Sequence, residues 1–272
     1  MDKLELLLDQ MASKQSCLCV GLDTDPNKLP ESLSYADDAA FEFNRRIVEA
    51  TLPYAVAFKL NTAFYEAQGI QGLQSLEKTL NFIKSLNAPI LVIADAKRGD
   101  IGNTAKAYAQ AWLQHWHFDA LTVSPYMGMD TLQPFLEMED KFTIALGLTS
   151  NPGAENIQER LLKDGTPLYL EVLRQLAEQA GPDKLMMVVG ATRPAAFLEI
   201  RRIIPDHVLL VPGIGTQGGK VEDVMRAEQP GRTPRVLINA SRSIMHAGME
   251  QDFDQKAAEA AYRLQQKMAR FM

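Results

Sequence analysis

Two carboxylates and a lysine crowd one short stretch of this chain: DAKRGDI, Asp95 to Ile101, directly follows the apolar run Pro89-Ile90-Leu91-Val92-Ile93-Ala94. An apolar run that ends in alternating charge reads as a buried parallel strand whose last residues emerge into a site. Strand side chains alternate between faces, so Asp95 and Lys97 are expected to share one face, with Asp100 just past the strand end. Burial is costly for each of these ions unless it is paired, so the cluster is either a structural ion-pair network or a functional site. The chemistry it could perform is proton donation by an ammonium held between acids. A second lysine, Lys59, interrupts the apolar segment AFKLN and extends the cluster to an alternating Lys–Asp–Lys–Asp array.

A second group of residues suits an anion. PGIGTQGG, Pro212 to Gly219, places Gly213, Gly215 and Gly218 just before a helical pattern. Glycines let backbone N–H groups approach a phosphate, and a helix start adds a favourable dipole. The run formally fits a dinucleotide fingerprint, but it stands near the end of a chain of repeated strand–helix units and not in the first of them. A phosphate site after the seventh and eighth strands of a barrel explains it better. Arg242, in the late segment INASRSI, could grip the same phosphate as a charge-assisted fork, and Gln217 could add an amide donor.

Other residues carry less. Cys17 and Cys19 are two apart on the first apolar strand, a poor geometry for a mutual disulfide, and read as buried structural residues of a reducing compartment. His115 and His117 lack carboxylates or cysteines at metal-ligand spacing, so packing at a helix end accounts for them. No G-x-S-x-G context, P-loop or zinc signature is present.

The elements that must position these groups alternate from end to end. Strand candidates are Cys17–Leu22, Ala55–Lys59, Ile90–Asp95, Ala120–Ser124, Thr143–Leu146, Leu185–Val189, Val208–Val211 and Val236–Ile238. Helical patterns cover Leu4–Ala12, Ala39–Ala50, Gln71–Leu86, Ile101–His115, Leu132–Glu137, Leu168–Ala180, Pro194–Ile203, Lys220–Ala227 and Gln255–Arg270. Eight strands, each followed by a helix, predict a closed parallel (β/α)8 barrel, one domain over 1–272 with an N-terminal helix. An open doubly wound sheet shares the alternation, and the strand count favours the barrel. Asp23, Lys59, Asp95, Ser124 and Ser150 then fall at or just beyond the C-terminal strand ends, where a barrel keeps its active site.

Of the 272 residues, 46% are hydrophobic and 23% charged, with a net charge of −6. Nothing in that balance points to a nucleic-acid or membrane partner, so an anionic substrate must be captured by local donors. The first residues, MDKLELLLDQMASK, read as an amphipathic helix and not as a signal peptide, which leads to a cytoplasmic expectation.

Taken together, the landmarks GLDTDP (Gly21–Pro26), FKLNTAFYE (Phe58–Glu66), DAKRGDIGNTA (Asp95–Ala105), TVSPYMG (Thr122–Gly128), LTSNPGA (Leu148–Ala154), PGIGTQGG and NASRSI occur in the order of a known family. The chain resembles orotidine 5′-phosphate decarboxylase, in the branch with the longer bacterial-type chain, across nearly its whole length. The resemblance implies release of CO2 from orotidine 5′-phosphate to give UMP, the last step of pyrimidine nucleotide synthesis. It implies no metal or organic cofactor, and a homodimer with shared active sites. Lys97 is then the proton donor to C6, Asp95 sits beside the substrate carboxylate, and Lys59 binds ribose and orients Asp95. Asp100 and Thr104 enter the partner subunit's site, Asp23 holds ribose, Ser150 the pyrimidine, and Gln217 with Arg242 the phosphate. Ser124 stands where the family often has asparagine. Two other readings share much of this pattern: a related barrel decarboxylase or aldolase acting on a sugar phosphate, and a non-catalytic phosphate binder that keeps the fold.

Overall fold

Eight apolar runs become eight parallel strands that pair in chain order and close on themselves. The computed structural model describes residues 2–215 and 218–272. The strands are β1 (Leu18–Leu22), β2 (Ala55–Asn61), β3 (Leu91–Arg98), β4 (Ala120–Val123), β5 (Phe142–Leu148), β6 (Leu185–Val189), β7 (Leu209–Val211) and β8 (Val236–Ala240). Every residue of β1, β6 and β8 is buried. Such strands need apolar neighbours on both faces, supplied by helices outside and side-chain layers inside. The seam lies where β1 pairs in parallel with β8, Leu18 opposite Ile238 and Val20 opposite Ala240. That pairing makes the fold a (β/α)8 barrel and excludes the open sheet.

The outer layer comprises α1 (Lys3–Lys14), α2 (Ala39–Thr51), α3 (Thr62–Glu66), α4 (Gly69–Ser85), α5 (Gly102–Ala109), α6 (Gln133–Leu136), α7 (Leu168–Gln179), α8 (Pro194–Ile203), α9 (Val221–Met225), α10 (Arg242–Met245) and α11 (Phe253–Ala269). Their starts and faces follow from local chemistry. Asp38 caps α2 by accepting the N–H of Phe41 at 3.0 Å, and Phe43, Ile47 and Val48 form its buried stripe. Leu7 and Met11 anchor α1, whose Lys14 donates to the carbonyls of Leu52 and Ala55 at 2.9 and 2.7 Å. α11 docks on α2 with Phe253 stacked on Phe43, ring centroids 5.1 Å apart. Gln265 of α11 also donates to the carbonyls of Lys14 and Gln15 at 3.0 and 3.1 Å.

The structure departs from the sequence reading at three places that bear on the site. β3 runs past Asp95 to Arg98, because its pairing with β4 is bulged. Ala94 pairs with Leu121 and Arg98 with Val123, so Asp95, Ala96 and Lys97 stand opposite Thr122 alone. The helix expected over Ile101–His115 is α5 followed by a π-helical stretch, Gln110–His115. That wider turn seats Trp112 against Trp116 at 4.4 Å and Phe118 at 5.9 Å between ring centroids. The helix expected over Lys220–Ala227 is only α9, five residues long. The chain turns there so that Glu228 can accept from Arg201 at 2.7 Å and from the N–H of Arg235 at 2.8 Å.

Candidate active site

A cleft of about 410 Å³ opens at the C-terminal mouth of the barrel, and Asp23, Lys59, Asp95, Lys97, Ser150 and Arg242 all line it. Each arrives on a different structural argument. Asp23 follows β1, Lys59 lies within β2, and Asp95 and Lys97 within β3. Ser150 comes two residues after β5, where Gly190 makes room: a Cβ on that glycine would stand 2.7 Å from the Ser150 nitrogen. Arg242 begins α10 directly beyond β8.

The charges form a chain of contacts. Lys97 Nζ lies 2.7 Å from Asp95 Oδ1, Lys59 Nζ 2.9 Å from Asp95 Oδ2, and Lys59 Nζ 3.5 Å from Asp23 Oδ1. Within one chain the alternating array is therefore Asp23–Lys59–Asp95–Lys97. Burial works against the charged form of Asp95, but Lys59 and Lys97 outweigh it and hold this carboxyl well below the usual carboxylate range. Lys59 shows the reverse balance: burial disfavours its ammonium, and Asp23 and Asp95 keep it protonated well above the usual lysine value. The Lys59 side chain is 4% exposed and that of Lys97 51%. A network serving only to satisfy buried charge has no reason to leave one ammonium open to a cleft, so accessibility singles out Lys97 as the group able to reach a ligand.

Lys97 also carries the strained backbone of the site, with φ +47°. A non-glycine residue in the left-handed region costs on the order of 1–3 kcal/mol and persists only where its surroundings over-determine it. Thr122 supplies part of that constraint. Its Oγ1 accepts the Lys97 N–H at 2.9 Å and donates to Asp95 Oδ1 at 2.9 Å. Sequence reasoning passed over Thr122, although a polar residue inside the apolar strand ALTV gives the same signal as lysine inside AFKLN. Asn61 and Asn239 line the cleft as well and were also passed over.

Three of the expected residues do not line this cleft. Asp100 is not against Lys97: its Oδ1 accepts the N–H of Ile101 at 2.8 Å. Asp100 and Thr104 do not line their own chain's cleft, and Thr104 is exposed on α5. The reason is the path of the chain, which leaves β3 after Arg98 and turns outward into α5. Gly215 adopts φ +78°, a conformation that favours glycine. Its N–H is occupied by the Gly219 carbonyl at 3.1 Å, while Gly218 and Gly219 donate to Gly215 and Gly213 at 2.9 and 3.1 Å. Gly215 therefore shapes the loop, with its own N–H engaged inside it. Gln217 lies outside the described residues. Cys19 is buried beneath the site, and burial pushes its thiol up to about 12, which removes it from neutral-pH chemistry. Among the described residues no group of three or more His, Cys, Asp and Glu is arranged to hold a metal ion. No described helix is long and apolar enough to cross a membrane.

Comparison with known proteins gives a consistent result. The profile of the Orotidine 5′-phosphate decarboxylase / HUMPS family matches residues 16–258. An orotidine 5′-phosphate decarboxylase of Flavobacterium johnsoniae is 48% identical over 263 residues, covering 97% of this chain and 96% of that protein. One of Porphyromonas gingivalis is 47% identical over 264 residues, covering 96% and 95%. The solved structure of Leishmania donovani OMP decarboxylase superposes with a TM-score of 0.84 at 34% identity, covering all of this chain and 98% of that one.

Proposed function

The chain belongs to the orotidine 5′-phosphate decarboxylase / HUMPS family, and on that premise we propose that it converts orotidine 5′-phosphate to UMP and CO2 with Lys97 as the proton donor. The observation that carries this reading is an accessible lysine ammonium fixed 2.7 Å from a doubly paired, buried aspartate at the mouth of the cleft. When the bond between C6 and the carboxylate breaks, its electron pair stays on C6 as a poorly delocalised carbanion. The Lys97 ammonium stabilises that charge as it develops and then gives C6 a proton, leaving a neutral amine that water re-protonates.

Asp95 stands where the substrate carboxylate would approach, and its low proton affinity keeps it anionic there. Two charges about 4 Å apart interact by roughly 1 kcal/mol in water and about 4 kcal/mol at an effective dielectric of 20. Enzymes lower barriers by about 8–23 kcal/mol, so repulsion relieved on loss of CO2 is a minority contribution. The same arithmetic gives the Lys97–carbanion attraction a similar size, so the remainder has to come from preorganised contacts along the rest of the nucleotide. The second task of Asp95 is to aim the Lys97 ammonium.

The other cleft residues divide the substrate between them: Asp23 and Lys59 hold ribose, Ser150 the pyrimidine, and Arg242 with Gln217 the phosphate. Asp100 and Thr104 serve a second copy of the chain, in a homodimer with shared active sites. Their outward position supports this, as does Ile101 between them, an apolar side chain that is 63% exposed. We place the reaction in the cytoplasm, an assignment supported by two buried free cysteines.

The test follows the ultraviolet absorbance of orotidine 5′-phosphate with purified protein in EDTA, alongside Lys97→Ala. Conversion by the wild type alone supports the reading. Absence of conversion, with inorganic phosphate still bound, would move the assignment to a sugar-phosphate enzyme or a non-catalytic phosphate binder.

A further inference from the structure

We propose that Thr122 is a positioning residue for the decarboxylation, holding Lys97 in its left-handed backbone conformation and Asp95 in the rotamer that receives the lysine. The inference rests on Lys97 being the proton donor. It starts from the bulge: three residues of β3 face one residue of β4. Regular parallel pairing would turn the Lys97 N–H toward a β4 carbonyl, but the bulge removes it from the ladder. The N–H finds the Thr122 hydroxyl instead, at 2.9 Å.

A hydroxyl has one proton to give. Here that proton goes to Asp95 Oδ1 at 2.9 Å, the same oxygen that Lys97 Nζ approaches at 2.7 Å. Lys97 is thus held from both ends through a single side chain: its backbone N–H directly by Thr122, and its ammonium through the carboxylate that Thr122 also holds. Thr122 is 1% exposed and does not line the cleft, so it acts through its neighbours. With Lys97 at φ +47°, loss of the acceptor would free the backbone to relax toward an extended conformation and swing the ammonium away from C6.

Thr122→Val keeps the shape and removes the hydroxyl, while Thr122→Ser keeps the hydroxyl. Both are compared with wild type and Lys97→Ala in turnover, in UMP affinity by calorimetry, and in hydrogen exchange at the Lys97 amide. Thr122→Val is expected to lower kcat about 10- to 100-fold, the range for small misplacement of a reacting group. UMP affinity should stay within about threefold and the Lys97 amide should lose its protection, while Thr122→Ser should stay near wild type. Wild-type kcat in Thr122→Val, or equal kcat losses in Thr122→Ser and Thr122→Val, would overturn the proposal. So would a loss carried by KM alone. If Thr122→Val does not fold, Thr122→Ala against Thr122→Ser decides by the same criteria. Activity surviving in Lys97→Ala would instead refute the proton-donor reading on which the inference stands.

Discussion

Lys59 and Asp95, neighbours across β2 and β3, meet at 2.9 Å with both side chains almost wholly enclosed. Removing Asp95 would leave Lys59 only Asp23, at 3.5 Å, and removing Lys59 would leave Asp95 only the half-exposed Lys97, at 2.7 Å. Asp23 shares Lys59 at 3.5 Å, so two acids divide this one ammonium and Lys97 completes the charge balance at the barrel mouth.

Lys59→Met should therefore destabilise the fold by about 2–3 kcal/mol, below the ~3–5 kcal/mol of a wholly broken buried pair because Lys97 still faces Asp95. Urea unfolding at neutral pH measures it. A loss under about 1 kcal/mol would show that water reaches the pair and screens it.

The depressed proton affinity of Asp95 has a signed consequence. Its unfolded value is 3.8 and its folded value lies below that. Below pH 4 the unfolded chain therefore binds the proton first, and stability falls as pH drops through this window. The contribution is fully present above the unfolded value. In Asp95→Asn this part of the acid limb should be flatter between about pH 4 and 2. Thermal unfolding across that range tests the claim, and identical slopes in the two proteins would refute it.

Lys97→Ala should reduce kcat by at least about 10²–10⁴-fold, the ordinary span for losing a general acid. UMP binding should hold, because the proposed ribose and phosphate contacts lie elsewhere. Calorimetry separates the two, and a parallel collapse of binding would assign Lys97 to ground-state recognition.

Arg242→Ala should lose activity on the nucleotide while activity on the phosphate-free nucleoside barely changes. Binding energy from a remote phosphate is used at the reacting centre, so part of the loss should appear in kcat. Equal losses on both substrates would count against a phosphate role.

Mixing Asp100→Ala with Lys97→Ala tests the shared site. Each variant alone should be nearly inactive, whereas hybrid dimers regain one intact site. After subunit exchange, roughly a quarter of wild-type activity should return. No recovery, with exchange demonstrated by differently tagged subunits, would place Asp100 in its own chain's site.

Much of this architecture was legible because barrel strands announce themselves as short apolar runs, and charges within or just after such runs have few places to go. Asp23, Lys59, Asp95, Lys97, Ser150 and Arg242 were readable in that way. Thr122 was not, since threonine suits a strand by propensity and only the β3–β4 register reveals what its hydroxyl meets. The expectation that alternation alone sets Asp95 beside Lys97 also missed the bulge, which no pattern of residue types records. α3 and α10 were too short to show a helical period. The extended reading of Lys220–Ala227 failed because the Arg201–Glu228 contact at the base of the barrel decides where that helix stops.

The β1–β8 seam also sets a timetable for synthesis. Leu18 finds its partner at Ile238, and 238 − 18 = 220 residues must be added after Leu18 before that partner exists. At about 5–20 residues per second a ribosome needs roughly 10–40 s for that span. Through that interval one edge of the first strand has no native neighbour. The nascent chain must therefore carry an open, growing sheet until β8 emerges, and the last helix to leave the ribosome is the one that clasps the first.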